Sequence, residues 1–399
     1  MKYALSYLQA TSIIINAYDG KVSLVHHLKS YFSQYKKHGS KDRKFIGHIC
    51  YCYYRLGHSV NEIPLEEKIK LGLFLCNDEA GHWAILFDEY WLTHWHSDVK
   101  DRIAFVQQQN LDFVPTKIFP WQDELSETID GKDFSLSHLV QPFLFLRIRP
   151  GHEQTVVQRL RDMNIPFQKI SSTTLALANG TKLDDVLDIN REVVVQDYSS
   201  QQVASFMEIV KAAFENHQSQ PLKVWDCCTA SGGKTLLLHD IHANNELLLT
   251  DIRESMLHQL KPRLDAAQIG NWKFEVADLT KDKPYFGQQK PFDFIMADVP
   301  CTGSGTWSRT PEQLQFFTPK TIEAFAATQK KIVSNVIPSL KENGYFLYIT
   351  CSAFKKENEE VVAFIQEKFH LELVKMEILK GYDKKADTMF AALFKKITA

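Results

Sequence analysis

From about Leu222 onward the chain alternates short apolar runs with amphipathic helical stretches, and this alternation constrains its fold more than any other feature. Strands are expected at 223–226, 246–250, 273–276, 292–297 and 345–349, with helices at 235–241, 254–267, 318–340 and 357–369. Terminal strands are expected near 371–376 and 390–394. Parallel neighbours need a long crossover, and a helix supplies it, so the pattern dictates a doubly wound, mostly parallel α/β sheet. In such a sheet, ligands collect outside the carboxyl ends of the strands. Two of those ends carry a thiol: Cys301 in Asp298-Val299-Pro300-Cys301-Thr302-Gly303-Ser304-Gly305, and Cys351 in Tyr348-Ile349-Thr350-Cys351-Ser352. Both would face one cleft, and two thiols in one cleft point to covalent chemistry.

At 399 residues the chain exceeds one typical core, and its composition is that of an ordinary globular protein. No apolar run is long enough to span a bilayer, and polar residues interrupt the start, so no membrane association and a cytoplasmic location are expected. The cysteines are odd in number and no CxxC pair occurs, which argues against a disulfide framework or a metal site. A net charge of -2 excludes a uniformly basic coat. Up to Val60, however, the acids are only Asp19 and Asp42, against Lys2, Lys21, Lys29, Lys36, Lys37, Lys41, Arg43, Lys44 and Arg55.

Before the alternating region, apolar residues recur at helical spacing from Leu5 to about Gln109, as in Val25, Leu28, Tyr31, Phe32 and Tyr35, which predicts an all-helical domain. The basic run 36–44 falls between two such helices with Ser40 as the expected N-cap, and it reads either as a solvated face or as a phosphate contact. A linker-like stretch follows at 111–141, punctuated by Pro115, Pro120 and Gly131. Strands at 143–149, 167–170 and 174–178 around a helix at 153–163 form a small α+β unit, with Arg147, Arg149, Arg159 and Arg161 expected on a solvated basic side. The domains are thus 1–140, 141–205 and 206–399.

The first strand-to-helix turn of the sheet is Asp226-Cys227-Cys228-Thr229-Ala230-Ser231-Gly232-Gly233-Lys234-Thr235. Its glycines let backbone approach a ligand at a helix N-terminus. It is not a nucleotide-phosphate loop, because the first glycine of G-x-x-x-x-G-K-T falls on Cys228. Asp251 at the second strand end would accept ribose hydroxyls, or else cap the next helix, and Asp278 at the third would reach an adenine or the pocket rim. Carboxylates at 226, 251 and 278 would repel a pyrophosphate, whereas S-adenosylmethionine brings a ribose, an adenine and a sulfonium cation without phosphate.

With these motifs in order, and with Gln196-Asp197-Tyr198-Ser199-Ser200-Gln201 before them and Glu357-Asn358-Glu359 after, residues 142–396 resemble the RNA (cytosine-5) methyltransferases of the RsmB-like, ribosomal small-subunit type. The region 29–57 is similar to that subgroup's amino-terminal domain, which is like the antiterminator NusB. The resemblance implies a Rossmann-like class I methyltransferase domain, mostly parallel and doubly wound, behind a small α+β (RRM-like) unit and a NusB-like RNA-binding domain. Three departures stand out: Ser231 where the family has proline, Val299 where alanine is frequent, and Ala386-Asp387-Thr388 in place of Gly-Asp-Gly.

The resemblance also implies roles. Cys351 would attack carbon 6 of cytosine, making carbon 5 electron-rich, and Cys301 would assist release of the carbon 5 proton; sequence chemistry alone allows the reverse assignment. Asp298 would hydrogen-bond the base, and Lys234, at the cleft mouth, would orient the target nucleotide. Cys228, Thr229, Ala230, Ser231, Gly232, Gly233, Lys234, Asp251, Asp278 and Asp298 would hold the cofactor. The target base must be single-stranded or flipped out. Ribosomal RNA is favoured over transfer RNA, a non-catalytic RNA-binding assembly factor is the contrasting reading, and a monomer is expected.

Overall fold

The computed structural model describes residues 4–61, 63–109, 112–215, 220–281 and 291–397. Lys2 of the basic set and Leu111, first residue of the expected linker, lie outside them. The chain divides into two compact units, and the first comprises Met1–Leu125, Ile129–Pro142 and Thr306–Thr318. Its longer helices are Ala4–Ala17, Leu24–Gln34, Ser40–Arg55, Leu65–Cys76 and Val99–Gln108. Residues spaced three or four apart, such as Tyr7, Leu8, Ile14, Leu24, Leu28, Ile46 and Ile49, meet in one core, as the helical period requires.

Two expectations change here. Residues 112–141 are not a linker: Pro115 opens the 3-10 turn Pro115–Ile118, Gly131 opens the helix Gly131–Ser137, and Phe119 and Phe134 pack edge to face at 5.1 Å. The breakers mark element starts, because proline and glycine punctuate first turns as readily as loops. Ser40 is the first helical residue and not the cap; Gly39 takes that place, its amide donating to Asp42 Oδ2 (2.8 Å) while Tyr7 Oη donates to Asp42 Oδ1 (2.5 Å).

Thr306–Thr318 is bound into this unit from within. The fully buried Arg55 guanidinium donates to the carbonyls of His138 (2.6 Å), Val140 (3.0 Å) and Ser308 (2.8 Å) and to Gln141 Oε1 (2.7 Å). Glu312 accepts the Leu24 amide (3.1 Å), and Phe316 packs edge to face on Tyr18 at 5.2 Å.

The second unit comprises Ser126–Thr128, Phe143–Gly305 and Pro319–Ala399. It opens with an antiparallel sheet of β1 (Leu144–Ile148), β2 (Gln168–Lys169), β3 (Thr174–Leu177) and β4 (Val193–Val195), in the order β2-β3-β1-β4, with the helix Glu153–Asp162. Arg147 and Arg149 do not form a solvated side. Both are buried on the carboxylate of Asp240, Arg149 at 2.7 Å, since opposite charge and hydrogen bonds offset the loss of water. Arg159 pairs with Glu192 at 2.7 Å.

The larger sheet contains β5 (Leu222–Asp226), β6 (Asn245–Asp251), β7 (Trp272–Val276), β8 (Phe292–Asp298), β9 (Leu340–Thr350), β10 (Leu371–Leu379) and β11 (Met389–Lys396). Their order is β10-β11-β9-β8-β5-β6-β7. All neighbours from β9 to β7 are parallel, and β11 runs antiparallel to both β9 and β10. Apolar residues line both faces, Val224, Leu249, Phe294 and Leu347 on one and Trp225, Ile295, Ala297 and Phe346 on the other, as a sheet covered by helices on both sides demands.

Candidate active site

The strand order reverses between β5 and β8, and there the first turn opens. Asp226 ends β5 fully buried, with Oδ2 accepting from Thr235 Oγ1 (2.6 Å) and Thr229 Oγ1 (3.3 Å). Its Oδ1 has no hydrogen-bond partner among the described residues, and burial raises the carboxyl to about 6. Ala230 (φ 44°) and Gly232 (φ 82°) are both left-handed, and a Cβ at Gly232 would come within 2.5 Å of Leu260 Cδ1. The helix Gly233–Ile241 leaves directly from this turn.

A cavity of about 510 Å³ lies at the ends of β5, β6, β7 and β8, lined by Cys228, Ala230, Asp251, Asp278, Asp298 and Ile332 among others. Asp251 already accepts from the Ala230 amide (3.1 Å) and from the amide (2.9 Å) and Nε (3.1 Å) of Arg253. Asp278 accepts from the hydroxyl (2.6 Å) and amide of Thr280, which lowers its carboxyl below the usual range. Thr229, Ser231, Gly232, Gly233 and Lys234 do not line this cavity; they shape the turn behind it. Lys234, expected at the cleft mouth, is buried, its ammonium held by Asp298 Oδ2 (3.0 Å) and Ser200 Oγ (2.9 Å). Ser200 in turn accepts from Gln196 (3.2 Å), whose Oε1 accepts from Arg147 (2.7 Å). The Gln196–Gln201 motif therefore reaches the site through this chain of hydrogen bonds.

Cys301 follows β8 and Cys351 follows its parallel neighbour β9, and their Sγ atoms stand 3.2 Å apart. Hydrogen bonding to Cys351, burial and the nearby Glu357 push the Cys301 thiol well above the ordinary cysteine range.

Glu357, quoted in the sequence only as part of a motif, joins the two thiol-bearing segments. Its Oε1 accepts the Thr302 amide (2.9 Å) and Gln329 Nε2 (2.9 Å), and its Oε2 accepts the hydroxyls of Thr302 (2.5 Å) and Ser352 (2.5 Å). Asn358 donates to the Ser352 carbonyl (2.9 Å) and accepts from Thr350 Oγ1 (2.6 Å). Gly305 is required: a Cβ there would fall 2.0 Å from the Thr388 carbonyl oxygen. Ala386-Asp387-Thr388 holds on through backbone, Thr388 donating to the Gly305 carbonyl (2.9 Å) and the Asp387 amide to Asp197 (3.2 Å), so its changed side chains leave these contacts in place.

Residues 212–394 match the family described as 16S rRNA methyltransferase RsmB/F. The match covers the methyltransferase domain and falls short of half of the chain. Ribosomal RNA small subunit methyltransferase B of Xanthomonas campestris is 29% identical over 53% of the chain and 47% of its own length. Ribosomal RNA small subunit methyltransferase F of Escherichia coli is 31% identical over 42% of the chain and 35% of its own length, so the chain spans about half or less of these relatives. Among solved structures, PH0851 shares the fold over 99% of the chain and 98% of its own (TM-score 0.67, 16% identity). NSun6 from Pyrococcus horikoshii, solved with SFG, does so over 68% of the chain and 97% of its own (TM-score 0.56, 15% identity).

The cofactor of this domain is S-adenosylmethionine, and the cavity suits it. Ile252, Leu279, Val299 and Ile332 offer an apolar slot for a flat ring, and Asp251, Asp278 and Asp298 offer acceptors for hydroxyls and a counter-charge for a sulfonium. Arg253, the cation among the described lining residues, is already spent on Asp251. Among the described residues, no helix is long and apolar enough to cross a membrane, and no group of three or more metal-ligating side chains is assembled.

Proposed function

We propose that the protein methylates carbon 5 of a cytosine in RNA, with small-subunit ribosomal RNA as substrate, through a transient bond between Cys351 and carbon 6. The observation that carries this is the 3.2 Å approach of two thiols at the ends of adjacent strands, beside Asp298 and the cofactor cavity. The cofactor supplies the methyl group.

Cys351 Sγ bonds to carbon 6 while its proton ends on ring nitrogen 3, Asp298 hydrogen-bonding the base and Lys234 fixing the direction of that carboxylate. Carbon 5, now electron-rich, accepts the methyl. Loss of the carbon 5 proton then restores the double bond and expels Cys351, which takes back the proton held on nitrogen 3, so that one proton is freed per turnover. Cys301 stands beside the departing sulfur to carry that proton away. The hydrogen bond with Cys351 and burial raise the Cys301 thiol, which disfavours Cys301 as the attacking thiolate. The exposed basic run around Lys36, Lys37, Lys41 and Lys44 offers the helical unit phosphate contacts, and the NusB likeness favours ribosomal over transfer RNA.

The test is methyl transfer from radiolabelled S-adenosylmethionine to purified small-subunit ribosomal RNA and to transfer RNA. Cys351→Ala should abolish labelling, and Cys301→Ala should accumulate a protein–RNA adduct that shifts on a denaturing gel. Near-normal turnover by Cys351→Ala overturns the mechanism, and labelling of transfer RNA alone overturns the substrate.

A further inference from the structure

Ser231 occupies the middle of the turn between two left-handed residues, where the family resemblance expects a proline. Proline would stiffen that position by locking φ, and serine does not. The Ser231 side has a different support. Arg263, on the helix Met256–Ala266, donates from Nη1 to both the carbonyl and the Oγ of Ser231 at 2.8 Å, and from Nε to Asn190 Oδ1 at 3.0 Å. Asn190 is itself left-handed, and its carbonyl accepts from Arg149 Nη1 at 3.1 Å. Arg263 therefore spans from the small antiparallel sheet's last turn to the cofactor turn.

The guanidinium is half-buried among neutral oxygens, and burial together with Arg147 pulls its basicity down. Among the described residues no carboxylate is a hydrogen-bond partner of Arg263, so it is not explained there as half of a salt bridge. Nη1 reaches both oxygens of Ser231 while Nε of the same rigid plane reaches Asn190, a fixed spread across two segments that a lysine's single ammonium cannot reproduce.

We propose that Arg263 is a positioning residue for S-adenosylmethionine, holding the Ala230–Gly232 turn in its binding shape through Ser231 in place of a proline ring. The inference rests on the cofactor identified above, and on nothing about the RNA. Arg263 does not line the cavity; its action is on Ala230, which does, and whose amide is bonded to Asp251.

The experiment is calorimetric titration of S-adenosylhomocysteine into the full chain, with steady-state KM and kcat for S-adenosylmethionine and amide exchange of 229–233 in the ligand-free protein. Arg263→Met should raise both Kd and KM about tenfold, leave kcat within about twofold and speed exchange in the turn. Ser231→Pro added to Arg263→Met should restore Kd to within about threefold of wild type, since among the described residues the Ser231 amide makes no hydrogen bond that proline would remove. Ser231→Ala, which keeps the backbone bond, should fall between, and serves if Arg263→Met lowers the melting midpoint. An unchanged Kd in Arg263→Met, or a folded double variant with no recovery, overturns the proposal. Binding that behaves as stated while no RNA is methylated would leave this inference standing and remove the RNA reading instead.

Discussion

Glu357 grips Thr302 twice, through the amide at 2.9 Å and the hydroxyl at 2.5 Å, and so fixes the residue that follows Cys301 to the turn that leads from Cys351 into the helix Glu359–Phe369. With Ser352 and Gln329 on the same carboxylate, every donor around it is committed.

Replacing Glu357 by Ala leaves those donors buried without an acceptor. A loss of about 3 kcal/mol is expected, together with a fall in kcat of tenfold or more as the two thiols lose their register. Urea unfolding and single-turnover methylation check this; a variant of wild-type stability would refute the role.

Asp226 gives a pH dependence of known sign. Its folded carboxyl, raised to about 6 by burial, lies above the ordinary aspartate value of about 3.9. The protonated form is the favoured one when folded, so stability is fullest below the unfolded value and is lost as pH rises through about 6. Asp226→Asn should therefore gain on the wild type by about 1–3 kcal/mol between pH 5 and pH 8. Denaturant midpoints at the two pH values measure it, and a difference that does not change with pH contradicts it.

Lys234 is expected to matter to chemistry more than to cofactor affinity, because it holds Asp298 and stands outside the cavity. Lys234→Met should lower the single-turnover rate about 100-fold while S-adenosylhomocysteine binding stays within about threefold. A variant that loses binding and keeps its rate would reverse this assignment.

In the helical unit, Arg55→Met deprives three carbonyls and Gln141 of a buried cation and should cost about 3 kcal/mol. Because Ser308 loses its tie, limited proteolysis should cut first within Thr306–Thr318. Cleavage elsewhere first would count against it.

Much of this site was readable in the residues alone. Strand and helix periods place both thiols after β8 and β9, and carboxylates end β5, β6 and β8 as expected, because local pattern fixes which residues terminate a strand. What escaped the sequence depends on partners far along the chain. Arg147 and Arg149 looked solvated until Asp240, more than 90 residues on, was seen to receive them. Lys234 reads from the sequence as a lysine at the cleft mouth, and only the approach of β8 brings Asp298 to it. The stretch 112–141 reads as a linker by its prolines, whereas its aromatic residues belong to a core assembled from both ends of the helical unit.

β11 comes eleventh among the strands in sequence, yet it lies between β9 and β10 with partners on both sides. During synthesis, β9 is made well before the strand that must flank it, and its unpaired edge has to wait for residues 389–396. The strand that leads into Cys351 thus stays incomplete on one side until residues 389–396 have been made.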